Sequence, residues 1–201
     1  MRKYLFNKFI FSFLLFLSFD LLFSQTQILT DIDGQAATDY SGYKVAISDD
    51  GTRIAIGEET ALGSQNVKIN ARGSGQVRIF DYSESGWVQV GSNIDGEGAG
   101  DLFGWPVSLS SDGTRLVVGA DDNDDKATNA GHVRVYDYTA SGWSQICSDI
   151  DGEAEADKSG FSASLAGDGT RIAIGAKYND GGGNNAGHVR VYEASSCSQV
   201  G

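Results

Sequence analysis

The sequence GHVRVYDY at residues 131–138 decides the fold, because it recurs as GQVRIFDY at 75–82 and as GHVRVYEA at 187–194, 56 residues apart each time. Three further strings repeat in the same order. DGTR begins at residues 50, 112 and 168, IDG at 32, 94 and 150, and the pair GWVQV and GWSQI at 86 and 142. Independent markers in one order identify three tandem copies of a unit of 56 to 62 residues.

Each unit has the pattern of four short β-strands. In GHVRVYDY, Val133 and Val135 alternate with His132 and Arg134, which is the two-residue period of a strand. The Asp-Gly pair of each DGTR separates two such runs, where a tight hairpin needs a residue with positive φ. No stretch after residue 24 keeps a helical period, so we expect helices to be absent or minor.

Four-stranded antiparallel sheets that recur at this length are typical of β-propeller blades, which bury both faces only by stacking on neighbours. The sequence therefore predicts an all-β fold, a partial propeller of about three blades after a signal peptide. Residues 1–24 form that signal peptide, since Arg2, Lys3 and Lys8 precede an aromatic and leucine-rich run. The predicted segments that follow are an outer strand plus blade one at 25–92, blade two at 93–148 and an incomplete blade three at 149–201.

The charge balance narrows the possible partners. Removing residues 1–24 leaves 12 basic and 26 acidic side chains, a net charge of −14. This acidity argues against nucleic acid as a partner. It suits a protein kept soluble by charge repulsion, or one that holds divalent cations in acidic loops. No second apolar run follows that could span a membrane. We therefore expect the protein to be secreted or at the cell surface.

The stretch FGWPVSLSSDGTRLVVGAD at 103–121 resembles the FG-GAP repeat of integrin α-subunit propellers and of related secreted proteins. The motif residues of the second copy are Phe103-Gly104 and Gly119-Ala120, and the other copies keep Gly160-Phe161 with Gly175-Ala176, and Gly42-Tyr43 with Gly57. Propellers close with 4 to 8 blades. The resemblance therefore implies that three blades are completed by self-association or by the remaining blades of a longer chain.

The resemblance also implies a class of function. It favours a non-enzymatic extracellular module for recognition or adhesion, with a protein or a glycan as partner. An alternative is an ancillary propeller region of a larger secreted hydrolase, and another is a calcium-dependent structural assembly module. No catalytic residue is predicted, because the candidates recur from copy to copy and residues of that kind are usually architectural.

Calcium is the one ion that the sequence suggests. Many FG-GAP repeats carry an acidic calcium loop between their first two strands, but here the loop is shortened to SDDG, SSDG or AGDG, which has few ligands. The run from Asp121 to Asp125 is richer. It is either a solvated loop or a calcium site formed by Asp121, Asn123 and Asp125. The IDGE segments are acidic as well, and they either bind a cation or only connect the blades, which explains them adequately. Their acidic residues are Asp95, Glu97 and Asp101 in the second copy and Asp151, Glu153, Glu155 and Asp157 in the third.

The two histidines and one set of aromatic residues recur with the repeat. His132 and His188 occupy a position where the first copy has Gln76, so we expect a shared role on the strand surface rather than a metal pair. Trp105 aligns with Tyr43 and Phe161, and this repeated aromatic is expected to fill space near the interface between blades.

The outer strands contain the remaining notable residues. Trp87 and Trp143 recur there, which favours packing between blades over a glycan-stacking platform. Cys147 and Cys197 lie in a compartment where disulfides form. They occupy different positions of their outer strands, however, and neighbouring blades splay apart at the rim. The spacing therefore favours two unpaired cysteines.

Overall fold

A computed structural model describes residue 27, residues 30–58 and residues 73–201. The predicted signal peptide, most of the predicted outer strand and the long connection at 59–72 lie outside these ranges. Within them the chain is all-β and contains no α-helix, as the sequence predicts. Consequently the described residues include no helix that is long and apolar enough to cross a bilayer.

The described residues form fourteen strands in three antiparallel sheets, one for each repeat. Blade one contains β1 (Lys44–Ile47), β2 (Arg53–Glu58), β3 (Gln76–Ser83), β4 (Gly86–Gln89) and the short β5 (Ile94–Asp95). Blade two contains β6 (Val107–Leu109), β7 (Arg115–Ala120), β8 (His132–Thr139), β9 (Gly142–Gln145) and β10 (Ile150–Asp151). Blade three contains β11 (Ser159–Leu165), β12 (Arg171–Ala176), β13 (His188–Glu193) and β14 (Ser198–Gln199).

Each blade has the four-stranded meander that the repeats predict, with one addition. The second and third IDG segments form the two-residue strands β5 and β10, which pair with the third strands of blades one and two on the same side as the fourth strands. Each of these two segments thus joins one sheet to the next. The Asp-Gly turns are confirmed, since Gly51, Gly113 and Gly169 have φ of 70°, 66° and 71°.

Two apolar clusters hold the three blades together. The first lies between blades one and two, where Val77 and Ile79 of β3 pack with Leu116 and Val118 of β7 around Phe103. The second lies between blades two and three and contains Val117, Val133, Val135, Leu165, Ile172, Ile174 and Tyr192. Blade two is therefore buried on both faces, which accounts for the near-continuous apolar run of β7.

The motif glycines lie where neighbouring blades meet. A Cβ on Gly119 would lie 2.5 Å from the carbonyl oxygen of Gly160, in the entry to the next blade, and a Cβ on Gly57 would overlap the carbonyl of Gly104 in the same way. Glycine at these positions lets the two backbones approach to van der Waals contact. The FG and GA positions of the motif are thus the two sides of one inter-blade seam.

The arginine of each of the first two DGTR strings links its blade to the next. Arg115 forms a two-point pair with Asp137, with Nε–Oδ1 and Nη2–Oδ2 distances of 2.6 and 2.8 Å. Its Nη1 also donates to the carbonyl oxygen of Gly169 in blade three at 2.7 Å. Arg53 makes the same contacts with Asp81 and Gly113. Each of these arginines therefore makes a polar contact between neighbouring blades, in addition to the apolar core. We call this arginine contact the staple.

The outermost faces of the three-blade arc are apolar and exposed. Val45 and Ile47 of β1 are 67% and 60% exposed, whereas Val107 and Leu109 at the same positions of blade two are buried. On the other side, Val189 and Val191 of β13 are exposed, although the equivalent Val133 and Val135 are completely buried. We refer to these two surfaces as the end faces. Their residues are those that a neighbouring blade covers inside the arc.

The expectation that the two cysteines are unpaired is wrong. Cys147 and Cys197 form a disulfide with a Cα–Cα distance of 6.3 Å. Cys147 follows the end of β9, where the chain turns from the rim toward β10, and both cysteines pack against the cluster between blades two and three. They therefore lie in the seam rather than at the splayed rim. In the chain-entropy description, a cross-link over 50 residues stabilises the fold by about 4 kcal/mol.

The Asp-Gly turns owe part of their stability to one carboxylate oxygen. Asp112 Oδ1 accepts hydrogen bonds from Ser110 Oγ, Thr114 N and Thr114 Oγ1 at 2.6 to 2.9 Å. The Ser110 hydroxyl and then the two Thr114 donors hold the pKa of Asp112 below its usual value. The aspartate of the shortened loop between the first two strands therefore closes the turn by accepting hydrogen bonds.

We expect Asp112→Ala to lower the free energy of unfolding by about 1–2 kcal/mol at pH 7, because three donors lose their acceptor. The carboxylate binds its proton more weakly in the folded chain, so this contribution exists above the ordinary carboxyl pKa and is lost as the pH falls through the lowered one. Urea unfolding at pH 7 and pH 3 measures both values. Asp168→Ala should cost less, since Asp168 accepts only from Thr170. A deficit that grows on acidification would contradict this account.

Candidate functional site

One end of the arc collects the segments that differ most between blades. At this end β7 runs into β8, β12 runs into β13, and the chain enters the first strand of each blade. The Asp-Gly turns lie at the opposite end. We call the first end the upper face, and every site residue suggested by the sequence lies there.

Three aromatic side chains form a continuous row across the upper face. Tyr43 and Trp105 precede the first strand of their blade, and Phe161 lies at the irregular start of β11. The ring centroids are 4.6 Å apart for Tyr43 and Trp105 and 5.9 Å apart for Trp105 and Phe161. The predicted position of this aromatic between blades is confirmed by these contacts. The rings are only partly buried, and Tyr43 is 48% exposed. We call these three residues the aromatic row.

A lysine covers each end of the aromatic row. Lys44 Nζ lies 4.7 Å from the Trp105 ring centroid and 5.9 Å from that of Tyr43. Lys177 Nζ lies 3.5 Å from the centroid of Phe161. Ring faces attract cations through their quadrupole. The row is therefore a surface that binds ammonium groups, and the chain itself supplies two of them.

A shallow cleft of about 310 Å³ continues the aromatic row toward blade three. Trp105 and Phe161 form one side of it, and Tyr178, which is 45% exposed, lies on the other. Lys158, paired with Asp122, crosses the floor. The cleft thus presents ring faces and both signs of charge within a small area.

The predicted calcium ligands do not all have the same surroundings. Asn123 is buried, and its Nδ2 donates to Asp101 Oδ2 at 2.9 Å while its Oδ1 accepts from the Asp125 amide at 3.1 Å. Asn179 makes the equivalent bonds to Asp157 and to the Gly181 amide in blade three. This recurrence indicates that Asn123 organises its loop.

Asp121 is buried, whereas Asp125 is exposed. Burial raises the pKa of Asp101, the partner of Asn123. The calcium site of Asp121, Asn123 and Asp125 stays a prediction.

The structure brings Asp125 together with Glu97 of an IDGE segment and with two residues that the sequence does not suggest as ligands. Its carboxylate lies beside Glu97, His132 and Asp149. His132 was expected on the strand surface, but it is only 2% exposed because blade one covers that face of β8. His188 instead lies 3.7 Å from Glu153, so the two histidines have separate partners. This group could have been found from the sequence by comparing the three copies position by position.

Of the two outer-strand tryptophans, Trp143 packs between blades as predicted, whereas Trp87 lies against Tyr82 of its own blade. Trp143 lies against the cluster between blades one and two, and its ring is 5.3 Å from that of Tyr138. The guanidinium carbon of Arg53 lies 4.2 Å from the Tyr138 ring centroid, so the staple of blade one also contacts the rim of blade two.

Comparison with known proteins agrees with this architecture. Residues 87–136 match the FG-GAP repeat. A hypothetical selenium-binding protein from Sulfolobus tokodaii has a similar structure, with a TM-score of 0.51 and 11% identity over 78% of this chain and 39% of that one. The periplasmic gluconolactonase of Pseudomonas aeruginosa gives a TM-score of 0.47 and 17% identity over 76% and 39%. TolB from Acinetobacter baumannii gives 0.43 and 14% over 78% and 30%.

At these identities the likeness concerns the fold alone. The chain spans less than two fifths of the length of each of these structures. No curated protein has a significant match to the sequence.

Proposed function

We propose that the chain is a non-enzymatic extracellular propeller module that recognises a protein partner through its aromatic row. Residues 87–136 are an FG-GAP repeat, and both flanking blades are copies of the same unit, which supports this class of function. The observation that carries the proposal is the stacking of Tyr43, Trp105 and Phe161 across three blades with their faces partly open to solvent.

The row has the composition of a protein-binding surface. Aromatic side chains are enriched at the centres of protein interfaces, where they supply large contact areas at a low cost in conformational entropy. Here each blade contributes one ring from a position fixed by the repeat, so the spacing is set by the blades and not by mobile loops. A rigid row of this kind favours a partner of matching shape.

The chemistry of the row indicates what it would contact. Lys44 and Lys177 already lie on ring faces, which shows that these faces accept cations. The chain has a net charge of −12, so a basic partner is attracted over a long range. A partner segment that carries an arginine or lysine could replace one of the two lysines on the row. The proposed partner is therefore a basic protein segment.

Tyr43→Ala tests this proposal. Immobilised peptides that contain one arginine or lysine among small neutral residues are the probe, and biolayer interferometry against the purified protein is the measurement. We expect binding of the basic peptides over their glutamine analogues, weakened at least tenfold by Tyr43→Ala, because an exposed interface aromatic contributes roughly 1.4 kcal/mol or more.

The matched control is Tyr82→Ala, which removes an aromatic of similar exposure (43%) on the outer half of β3, far from the aromatic row. This variant should bind like the parent protein. Equal losses for the two variants, or no preference for basic peptides, would reject the row as the recognition site. Binding that appears only on a glycan array would replace the protein partner by a glycan.

A further inference from the structure

Four side chains that can bind metal ions converge at the junction of blades one and two. Glu97 follows β5, Asp125 lies in the loop between β7 and β8, His132 begins β8, and Asp149 precedes β10. One ligand atom from each lies within 4.8 Å of the others. We call these four residues the acid–histidine cluster. It includes only Asp125 of the three residues that the sequence suggested for calcium.

His132 points a buried nitrogen into this cluster. The side chain is 2% exposed, and its Nδ1 has no hydrogen-bond partner. The nearest carboxylate oxygen, Asp149 Oδ2, is 3.4 Å away but is not aligned for a hydrogen bond. Burial, followed by the charge of Arg134, lowers the pKa of His132 to about 4. A neutral imidazole has the nitrogen lone pair that a metal ion needs, and the buried, unpartnered Nδ1 is the atom that could offer it here.

Blade one shows what this location requires when no ion is involved. The residues equivalent to Glu97, His132 and Asp149 are Gln35, Gln76 and Asn93. These three amides bond to one another, with Asn93 Nδ2 donating to Gln35 Oε1 at 3.0 Å and to Gln76 Oε1 at 2.9 Å. Gln76 Nε2 donates to Gln35 Oε1 at 3.3 Å. Gln76 Nε2 also donates to the buried Glu58 carboxylate, and Asn93 Oδ1 accepts from Gln89 Nε2 at 2.8 Å. Neutral amides thus satisfy the blade junction, and blade two replaces all three by ionisable groups.

Charge in the cluster is only partly compensated. Arg134 binds Asp149 through Nε and Nη2 at 2.9 and 2.7 Å and pairs with Glu97 through Nη2. One guanidinium faces three carboxylates, so ionisation of all three leaves two negative charges. Arg134 lowers the pKa of Glu97, but burial and the adjacent Asp125 carboxylate together raise it above its usual value. A divalent cation would balance the remaining charge.

We propose that Glu97, Asp125, His132 and Asp149 bind one divalent transition-metal ion, with His132 Nδ1 and one oxygen of each carboxylate as the ligands. A mixed nitrogen and oxygen set suits Zn²⁺, whereas Ca²⁺ takes oxygen ligands. Ligand atoms around Zn²⁺ are about 3.3 Å apart, so small side-chain rotations of the exposed Glu97 and Asp125 close the set. Arg134 keeps Asp149 in place through Oδ1 while Oδ2 turns to the ion.

The ion would have a structural task, because its ligands come from four separate segments. Glu97 belongs to the connection that leaves blade one, while Asp125, His132 and Asp149 belong to blade two. Binding would fix the connection, the loop, the start of β8 and the chain before β10 to one another. This site lies on other residues than the aromatic row, so the two proposals succeed or fail separately.

Titration of the metal-free protein with ZnCl₂ by isothermal calorimetry, together with thermal unfolding, tests the proposal. We expect one equivalent of Zn²⁺ to bind with a Kd in the micromolar range or below and to raise the Tm, an effect that a chelator reverses. The substitutions Glu97→Gln, His132→Gln and Asp149→Asn install the residues of blade one, so the fold should tolerate them. Each should weaken Zn²⁺ binding at least tenfold.

His188→Gln is the matched control, since it makes the same change at the equivalent position of blade three and should leave Zn²⁺ binding unchanged. Glu97→Gln keeps the test decisive if His132→Gln fails to fold, because Glu97 is on the surface. Absence of Zn²⁺ binding, binding that is unaffected by Glu97→Gln, or Ca²⁺ binding of equal strength would each overturn the proposal.

Discussion

Val135→Asp is expected to unfold the protein or to cost about 4 kcal/mol or more of its stability. Val135 is completely buried in the cluster between blades two and three, with Leu165 and Ile172 among its neighbours. A carboxylate placed there loses its hydration and gains no cation. Domains of this size are stable by roughly 5–15 kcal/mol in total, so one such change removes a large part of the margin. Circular dichroism with urea unfolding measures the loss.

Val191→Asp provides the matched comparison. Val191 occupies the same strand position in blade three but belongs to an end face and is 37% exposed. There the carboxylate remains hydrated, so we expect a loss of about 0.5 kcal/mol, as for an ordinary surface change. Similar losses in the two variants would mean that the end face of blade three is buried in solution and would contradict the exposure described above.

Gly131→Ala is expected to lower the free energy of unfolding by about 2–4 kcal/mol. Gly131 has a φ of +74°, which costs an alanine about 1 kcal/mol. A Cβ at this position would also overlap the carbonyl oxygen of Ser159 in blade three, so the blades would have to separate slightly. Overpacking of this kind adds about 1–3 kcal/mol. Thermal unfolding of the variant measures the combined effect.

Gly187→Ala separates the two causes. Gly187 has nearly the same φ, +70°, but the atoms nearest to an added Cβ are backbone atoms of its own blade, of which Lys177 O is the closest at 3.0 Å. We expect a loss of about 1 kcal/mol, the backbone part alone. If Gly131→Ala were no worse than Gly187→Ala, the close approach of blades two and three would contribute little to stability.

The fold was predictable because its determinants are local and repeated three times. The alternation in GHVRVYDY and the Asp-Gly turn at Asp112-Gly113 specify strands and hairpins from neighbouring residues alone. The short strands β5 and β10 were not predicted, because two residues carry no period. The disulfide between Cys147 and Cys197 depends on how far blades two and three splay, which is a tertiary property that the spacing of the cysteines does not contain.

The candidate site was less predictable for a related reason. The aromatic row could be anticipated in part, since Trp105 recurs as Tyr43 and Phe161, but its exposure depends on the angle between blades. The acid–histidine cluster was missed because its members come from separate segments of the chain. The sequence signal for the cluster is that two polar residues of the first copy become ionisable in the second. Gln76 of the first copy aligns with His132, and Asn93 aligns with Asp149. Each change alone is an ordinary polar substitution.

The two end faces are different surfaces, and this difference gives the arc a direction. Val45 and Ile47 correspond to residues on the side of blade two that packs against blade one, whereas Val189 and Val191 correspond to residues on the side that packs against blade three. Inside the arc, faces of these two kinds pack against each other. A two-fold axis that joins like ends would place Val45 against Val45, a contact without precedent in the molecule. Two copies can reproduce the internal packing only head to tail, and each addition then leaves one face of either kind until the ring closes. The number of copies in such a ring is fixed by the angle at the Gly119–Gly160 seam and not by the strength of the contact.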